Sequence, residues 1–414
     1  MRIGINGRFL VAKRTGVQRA AYNLVKTMIR IDRFNEYFIF TGFDQIKSPE
    51  WDYPNVTVVP SDIREGESIR NHIWEQFTLP RLAKRHRVDI LHSPANVAPL
   101  LYRGKSVVHI HDLCFVVNPQ WYSFSFRTLY NLVIPRLARR ASKVITNSNN
   151  SRNDLLQYFD LEADRVSLVY WAVDDTFMQA AQLPAKSNVR TKSSVTEEDY
   201  ILYVGSLEPR KNIKTLVEAY EDLRERNPQI KTRLVLIGGE SPLFAEVRLT
   251  IKKFKQDVIF KGFVDDDSLA EYYRRASLVV YPSLYEGFGL PPLEAMASGT
   301  PVVTSMTSSI PEVVGDAAIM VSPYDVGQLA DTMAHVLSDP ALRRSLIARG
   351  YQQVRRFNWY RVARNTLAVL YEVLNGREKQ RGSPDYVPIE LWRKLVAIEE
   401  TEMQKVPPPA ALPQ

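Results

Sequence analysis

Short runs of β-forming residues, several of them apolar throughout, recur from one end of the chain to the other. A strand covered on both faces has no solvent side, so its hydrophobicity does not alternate. The first half offers Arg2–Asn6, Tyr37–Phe40, Val56–Val59, Asp89–His92, Ser106–His111, Lys143–Asn147 and Val166–Tyr170. The second half offers Tyr200–Gly205, Arg233–Gly238, Val258–Gly262, Leu278–Pro282, Thr300–Thr304 and Ala318–Val321. Helical periodicity lies between many of them. Ala21, Leu24, Val25 and Met28 share one stripe, as do Leu216, Ala219, Tyr220 and Leu223. Strand and helix in alternation predict an α/β fold with parallel sheets.

The series pauses at Ala180–Asp199, where Pro184, Lys186, Ser187, Asn188, Ser193 and Ser194 replace apolar residues. That reads as a linker. At roughly 100–200 residues per domain, 414 residues suggest two or three domains. The expected division is a first Rossmann-like domain over 1–180, a linker over 181–199 and a second Rossmann-like domain over 200–358. The two doubly wound domains are expected to face a central cleft, with ligands beyond the carboxyl ends of the strands. A charged tail, 377–414, ends in Pro407-Pro408-Pro409 and is expected to be partly disordered, although Ile389–Lys405 suits a helix.

No run approaches the ~20 apolar residues of a membrane span. The N-terminus reads as a first strand and lacks the apolar core of a signal peptide. Cys114, the single cysteine, has no internal disulfide partner, which points to a reducing cytoplasm. The net charge of +8 is uneven: residues 1–180 hold 24 Lys and Arg against 17 Asp and Glu, and the remainder 30 against 29. Arg81, Lys84, Arg85 and Arg87 form one basic cluster, and Arg136, Arg139, Arg140 and Lys143 another. Such faces meet nucleic acid, an anionic membrane or a phosphorylated substrate, or are simply solvated.

The densest motif follows the apolar run Leu278–Pro282: Glu286-Gly287-Phe288-Gly289-Leu290-Pro291-Pro292-Leu293-Glu294. The prolines suit a first helical turn, where a missing N–H costs nothing. Free N–H groups at that helix start attract an anion. Gly287 and Gly289 let a backbone approach phosphates. Glu294 is expected on the first turn, placed to accept from ribose hydroxyls. Upstream, Arg210 and Lys211 follow the run ending at Gly205, where two fixed cations would neutralise a diphosphate.

The block Glu286–Pro301 resembles the Glu-x7-Glu signature of retaining nucleotide-sugar glycosyltransferases of the GT-B fold, in particular glycosyltransferase family 4. Further segments are similar in the family's order. Val204-Gly205-Ser206-Leu207-Glu208-Pro209-Arg210-Lys211-Asn212 resembles its opening of the second domain. Gly262-Phe263 resembles a strand end that places backbone on the nucleotide base, and Leu290 completes the donor loop. In the first half, Gly16 lies in a connection that resembles the loop closing over diphosphate and acceptor. A His in an apolar strand is usually a core residue, but the resemblance implies that His111 contacts the donor sugar.

The resemblance implies that His111, Glu286, Arg210 and Lys211 are catalytic, and that Gly16, Gly205, Gly262, Phe263, Gly287, Phe288, Gly289, Leu290 and Glu294 bind the donor. It also implies a helix over 359–376 returning to an acceptor-binding first domain. No metal and no cofactor are expected, because the cations and helix-end dipoles serve the leaving phosphate. The implied reaction moves a hexose, mannose from GDP-mannose in the first instance, to a glycan or lipid-linked glycan of cell-surface polysaccharide. UDP-glucose, UDP-galactose, GDP-fucose and dTDP-rhamnose stay open as donors. The implied setting is cytoplasmic, with an anionic membrane as partner of the basic first domain and no nucleic acid. The rival readings are a GT-B epimerase or phosphorylase and a nucleotide-sugar-binding scaffold without catalysis. A dinucleotide-dependent oxidoreductase is disfavoured, since no G-x-G-x-x-G follows the first strand.

Overall fold

The structure, a computed structural model, describes residues 1–12, 16–43, 48–180, 199–239, 257–376 and 387–405. Among the described residues thirteen strands form two sheets, of seven and six strands. In the first unit β1 (Arg2–Asn6), β2 (Glu36–Gly42), β3 (Val56–Ser61), β4 (Ile90–Ser93), β5 (Lys105–His109), β6 (Lys143–Thr146) and β7 (Val166–Leu168) lie in the order β3-β2-β1-β4-β5-β6-β7. Every neighbouring pair is parallel. The helices between strands cover both faces, so β1 carries no solvent side: Ile3 and Ile5 are fully buried. Each side chain of that kind contributes roughly 1.5–3 kcal/mol through removal from water.

The second unit repeats the plan. β8 (Tyr200–Val204), β9 (Arg233–Ile237), β10 (Val258–Gly262), β11 (Leu278–Tyr281), β12 (Val302–Ser305) and β13 (Ile319–Val321) lie in the order β10-β9-β8-β11-β12-β13, again all parallel. In each sheet the winding reverses once. The reversal falls between β1 and β4 in the first and between β8 and β11 in the second. At such a switch point the connections on either side diverge and leave a crevice at the carboxyl ends of the strands.

The units divide near Ala172, eight residues before the boundary the composition suggests. The reason is Phe177 in the short helix Asp175–Ala180: it is fully buried, edge-on to Tyr273 of the second unit at 5.6 Å. The expected linker, residues 181–198 of it, lies outside the described residues. The helix Trp359–Asn375, capped by Asn358, belongs to the first unit. There Tyr371 donates to Asn35 at 3.0 Å, Lys105 donates to the Leu374 carbonyl at 2.8 Å, and Lys143 pairs with Glu372. The helix Ile389–Lys405 packs on it, with Glu399 between Arg361 and Arg364 at 2.9 and 2.8 Å. The rest of the tail, 377–386 and 406–414, lies outside the described residues. Among the described residues no helix is long and apolar enough to cross a membrane.

Candidate active site

At the β8/β11 switch point the two central strands deliver opposite charges. β8 runs into a 3-10 turn, Pro209–Lys211, which ends on Asn212 in the left-handed conformation with φ +58°. The Asn212 side-chain amide donates hydrogen bonds to the carbonyls of Pro282 and Pro323, at 3.1 and 2.6 Å, and so fixes the turn. Leu284 N–H donates to the Arg210 carbonyl at 2.8 Å, which ties this turn to the loop after β11. That loop carries Glu286. Ser308, itself at φ +57°, brackets the Glu286 peptide: its hydroxyl accepts from Glu286 N–H at 3.1 Å and donates to the Glu286 carbonyl at 2.6 Å.

The result is a compact ionic cluster. Lys211 Nζ lies 2.6 Å from Glu286 Oε1, and Arg210 Nη1 lies 3.1 Å from Glu286 Oε2. Tyr281 donates to Glu286 Oε1 at 2.9 Å and accepts from Lys211. The side chains of Lys211 and Glu286 are 7% and 8% exposed, and that of Arg210 23%. Burial opposes ionisation of Glu286, but Lys211 and Arg210 outweigh it and hold the carboxyl at about 2. Burial, then the Arg210 charge, pull the Lys211 ammonium down from its ordinary value, against the pull of Glu286. Glu208 also meets Arg210, at 2.9 Å, but its side chain is 38% exposed and its charge is largely screened. Lys211 and Glu286 are buried and Arg210 and Glu208 only partly so; two cations thus converge on the one buried carboxylate, with Glu208 at the exposed edge. Lys211 spends two of its three N–H donors within the cluster, on Tyr281 and Glu286. An anion brought to this cluster would meet charge-assisted N–H donors.

The neighbouring loop is shaped by packing. Gly289 takes φ +111°, and a Cβ there would lie 2.7 Å from Ile310 Cδ1. It ends the loop, so the next helix begins at Leu290 and spans Leu290–Ala297. Glu294 is therefore the fifth helical residue and sits on the second turn, not the first as its spacing from the prolines suggested. It is buried and accepts from Tyr273 at 2.9 Å. Gly287 and Phe288 are buried in the loop itself. Ser309 donates at 2.8 Å to the Phe288 carbonyl. Gly205 closes β8 at φ +154°, against the Tyr203 hydroxyl. Gly262 ends β10 at φ +68° in open space, and Phe263 after it is exposed.

His111 and Gly16 belong to the first unit. Gly16 is the exposed first residue of the helix Gly16–Ile31. β5 stops at His109, so His111 lies two residues beyond the strand. Its ring packs against Trp171 at 4.6 Å and its Nε2 donates to the Pro94 carbonyl at 3.1 Å. Burial pushes it down to about 3, so at neutral pH it is an uncharged hydrogen-bonding ring. His109 bonds His92 nitrogen to nitrogen at 2.9 Å inside the sheet. Sequence reasoning missed Tyr281, Ser308 and Ser309, which order the site. It also missed a second buried cluster at β1/β4, where Glu75 meets Asn6 and Arg8 at 2.7 and 2.9 Å.

The family model described as Glycosyl transferases group 1 matches residues 186–353, and that described as Glycosyltransferase Family 4 matches residues 14–177. O-antigen chain mannosyltransferase B of Escherichia coli is 31% identical over 367 residues, covering 85% of this chain and 95% of that protein. The chain is a family 4 glycosyltransferase. Serotype-specific mannosyltransferase WbdA of Escherichia coli is 31% identical over 315 residues, 72% of this chain but 38% of that larger protein. Among solved structures, sucrose-phosphate synthase of Thermosynechococcus elongatus superposes with a TM-score of 0.66 at 22% identity, over 90% of this chain and 99% of that one. That likeness is one of fold, and the fold of this glycosyltransferase is GT-B. The family 4 match takes in β2–β7 of the first sheet and the group 1 match β8–β13 of the second, and Arg210, Lys211, Glu286 and Glu294 all lie in the group 1 half.

Proposed function

We propose that this glycosyltransferase moves mannose from GDP-mannose to a glycan or lipid-linked glycan acceptor of cell-surface polysaccharide, with retention at the anomeric carbon and without a divalent metal. The observation that carries the reading is the convergence of two cations, Arg210 and Lys211, on the buried Glu286 at the β8/β11 switch point. Mannose is favoured because the chain is similar over most of its length to an O-antigen mannosyltransferase.

The difficult step is departure of a nucleoside diphosphate from an oxocarbenium-like centre. Negative charge grows on the bridging phosphate oxygen as that bond breaks. Arg210 and Lys211 are fixed before the reaction starts, so they stabilise this charge without reorganising. One such donor contributes roughly 3–4 kcal/mol. Glu286, held ionised, keeps the two cations from drifting apart and presents an acceptor to a sugar hydroxyl. Glu294 accepts from the ribose. His111 offers the sugar a neutral imidazole. The acceptor hydroxyl attacks on the face from which the diphosphate leaves, and the departing phosphate oxygen takes its proton. The remaining donor-side residues, Gly205, Gly262, Phe263, Gly287, Phe288, Gly289 and Leu290, shape the backbone around the nucleotide.

An anionic membrane surface is the proposed partner of the first unit. The helix Phe124–Arg140 exposes Phe124, Leu129 and Leu132 beside Arg136, Arg139 and Arg140. Binding to anionic vesicles should weaken as salt shortens the screening length to roughly 3 Å at 1 M. Equal binding to neutral vesicles would remove the partner from the account.

The test of the reaction is a panel of nucleotide sugars, read by thermal shift and by release of nucleoside diphosphate, with EDTA in a parallel arm. GDP-mannose should give the largest response, and EDTA should leave it intact. A stronger response to a UDP or dTDP sugar would replace the donor. Activity lost to EDTA and restored by Mn²⁺ would replace the leaving-group chemistry.

A further inference from the structure

The β1/β4 switch point of the first unit carries its own buried ionic cluster, and its charge balance differs from that of the donor site. Asn6 ends β1 and Ser93 ends β4, the two strands between which the winding reverses. The Asn6 amide donates to Glu75 Oε1 at 2.7 Å and to Ser93 Oγ at 3.3 Å. Arg8, two residues past β1, donates from Nη1 to Glu75 Oε2 and to His72 Nδ1, each at 2.9 Å. Glu75 is fully buried. It sits in a π-helical turn, Trp74–Thr78, between the helices Ser68–Ile73 and Leu79–Arg85. Pro80 lacks the N–H that would close an ordinary turn on Gln76. Such π-turns are rare and gather at functional sites.

A buried ion pair adds little stability over an apolar pair of the same size, so stability alone does not account for it. Its chemistry points elsewhere. One guanidinium faces one carboxylate, so the buried pair is neutral as a whole. Arg8 commits only Nη1, and its Nε and Nη2 donors have no partner among the described residues. Its side chain is 17% exposed, which leaves an edge open to a ligand. His72 accepts at Nδ1 from a donor that is always protonated, so its neutral tautomer carries the proton on Nε2. The site thus offers a planar fork of donors and an imidazole N–H with no uncompensated charge. Phosphate and carboxylate seek excess positive charge, as at Arg210 and Lys211. Sugar hydroxyls need only oriented donors.

We propose that Arg8, oriented and neutralised by Glu75, binds hydroxyl groups of an uncharged acceptor sugar at the β1/β4 switch point. This rests on the transferase reading above and adds to it that the acceptor's reacting end bears no phosphate or carboxylate. Glu75 is a positioning residue. It sets the direction of the fork and cancels its charge, and so selects neutral sugars over anionic ones.

The probes are octyl α-mannoside and its 6-phosphate, titrated into the full-length protein by calorimetry. Wild type should bind the neutral mannoside more tightly. Arg8→Ala should weaken that binding roughly 10–100-fold while leaving GDP affinity unchanged. Glu75→Gln, which uncovers the charge of Arg8, should shift preference toward the 6-phosphate by about tenfold or more. If Glu75→Gln does not fold, the Arg8→Ala comparison decides alone. Tighter wild-type binding of the phosphorylated sugar, binding of neither probe, or loss of GDP affinity in Arg8→Ala overturns the proposal. Failure of the transferase reading shows itself separately, as absence of nucleoside diphosphate release from any sugar nucleotide by wild type.

Discussion

At the β8/β11 switch point two cations share one buried carboxylate, whereas at β1/β4 one cation faces one. The strand orders around them are the same in plan. Both clusters use a residue just past the first central strand, Arg8 after β1 and Arg210 with Lys211 after β8. Both draw their carboxylate from a later segment. A doubly wound sheet thus provides the place, and the side chains at that place determine which charge it will accept. On the proposed reading, converging cations prepare a site for a diphosphate that gains negative charge as its bond to sugar breaks. A compensated pair, on the same reading, prepares one for hydroxyls.

The comparison breaks most readily at the cations. Lys211→Ala or Arg210→Ala should lower kcat by on the order of 10²–10³-fold while the protein stays folded, because each removes charge where charge develops. Wild-type kinetics in the folded double variant would end the assignment. Glu286→Gln comes next. It leaves Lys211 buried beside an uncharged amide, which should cost roughly 3–5 kcal/mol of stability at pH 7. The sign with pH follows from a folded carboxyl at about 2 against an ordinary 4.5. The native state binds fewer protons between these values, so the contribution is full above 4.5 and fades as pH falls toward 2. Denaturant titrations of wild type and Glu286→Gln should therefore differ at pH 7 and converge near pH 2. A gap independent of pH would mean that the carboxylate charge is not what holds the cluster.

Glu294→Gln separates ribose from phosphate. Ribose contacts are similar in ground and transition states, so the donor KM should rise by roughly tenfold with little change in kcat. A fall in kcat with unchanged KM would move Glu294 to the reacting sugar. The smallest effect belongs to Glu208. Its exposed pair with Arg210 should contribute little, and Glu208→Gln should change kcat/KM by about fivefold at most. A large loss would mean that the exposed carboxylate counts in the charge balance, and the contrast between the two switch points would weaken.

Much of this is legible in the amino-acid sequence. Among the described residues all thirteen strands fall on the β-forming runs, and the central ones are apolar throughout because a strand buried on both faces must be written in Val, Ile, Leu and aromatic residues. Arg210, Lys211 and Glu286 were visible as motifs, but not as one cluster, since β8 and β11 become neighbours only when the winding reverses. The helix start at Leu290 was off by one turn for Glu294, because it depends on the positive φ of Gly289. Glu75 left no signal. It lies among the residues before a basic helix, and a π-turn has no periodicity of its own to betray it.

The central claim is that the two switch points differ in what charge they receive. Calorimetric affinity for GDP in wild type, Lys211→Ala and Arg8→Ala measures that difference directly. The account predicts a loss of on the order of 10²-fold in Lys211→Ala and none in Arg8→Ala. Equal losses in the two variants, or a loss confined to Arg8→Ala, would contradict it.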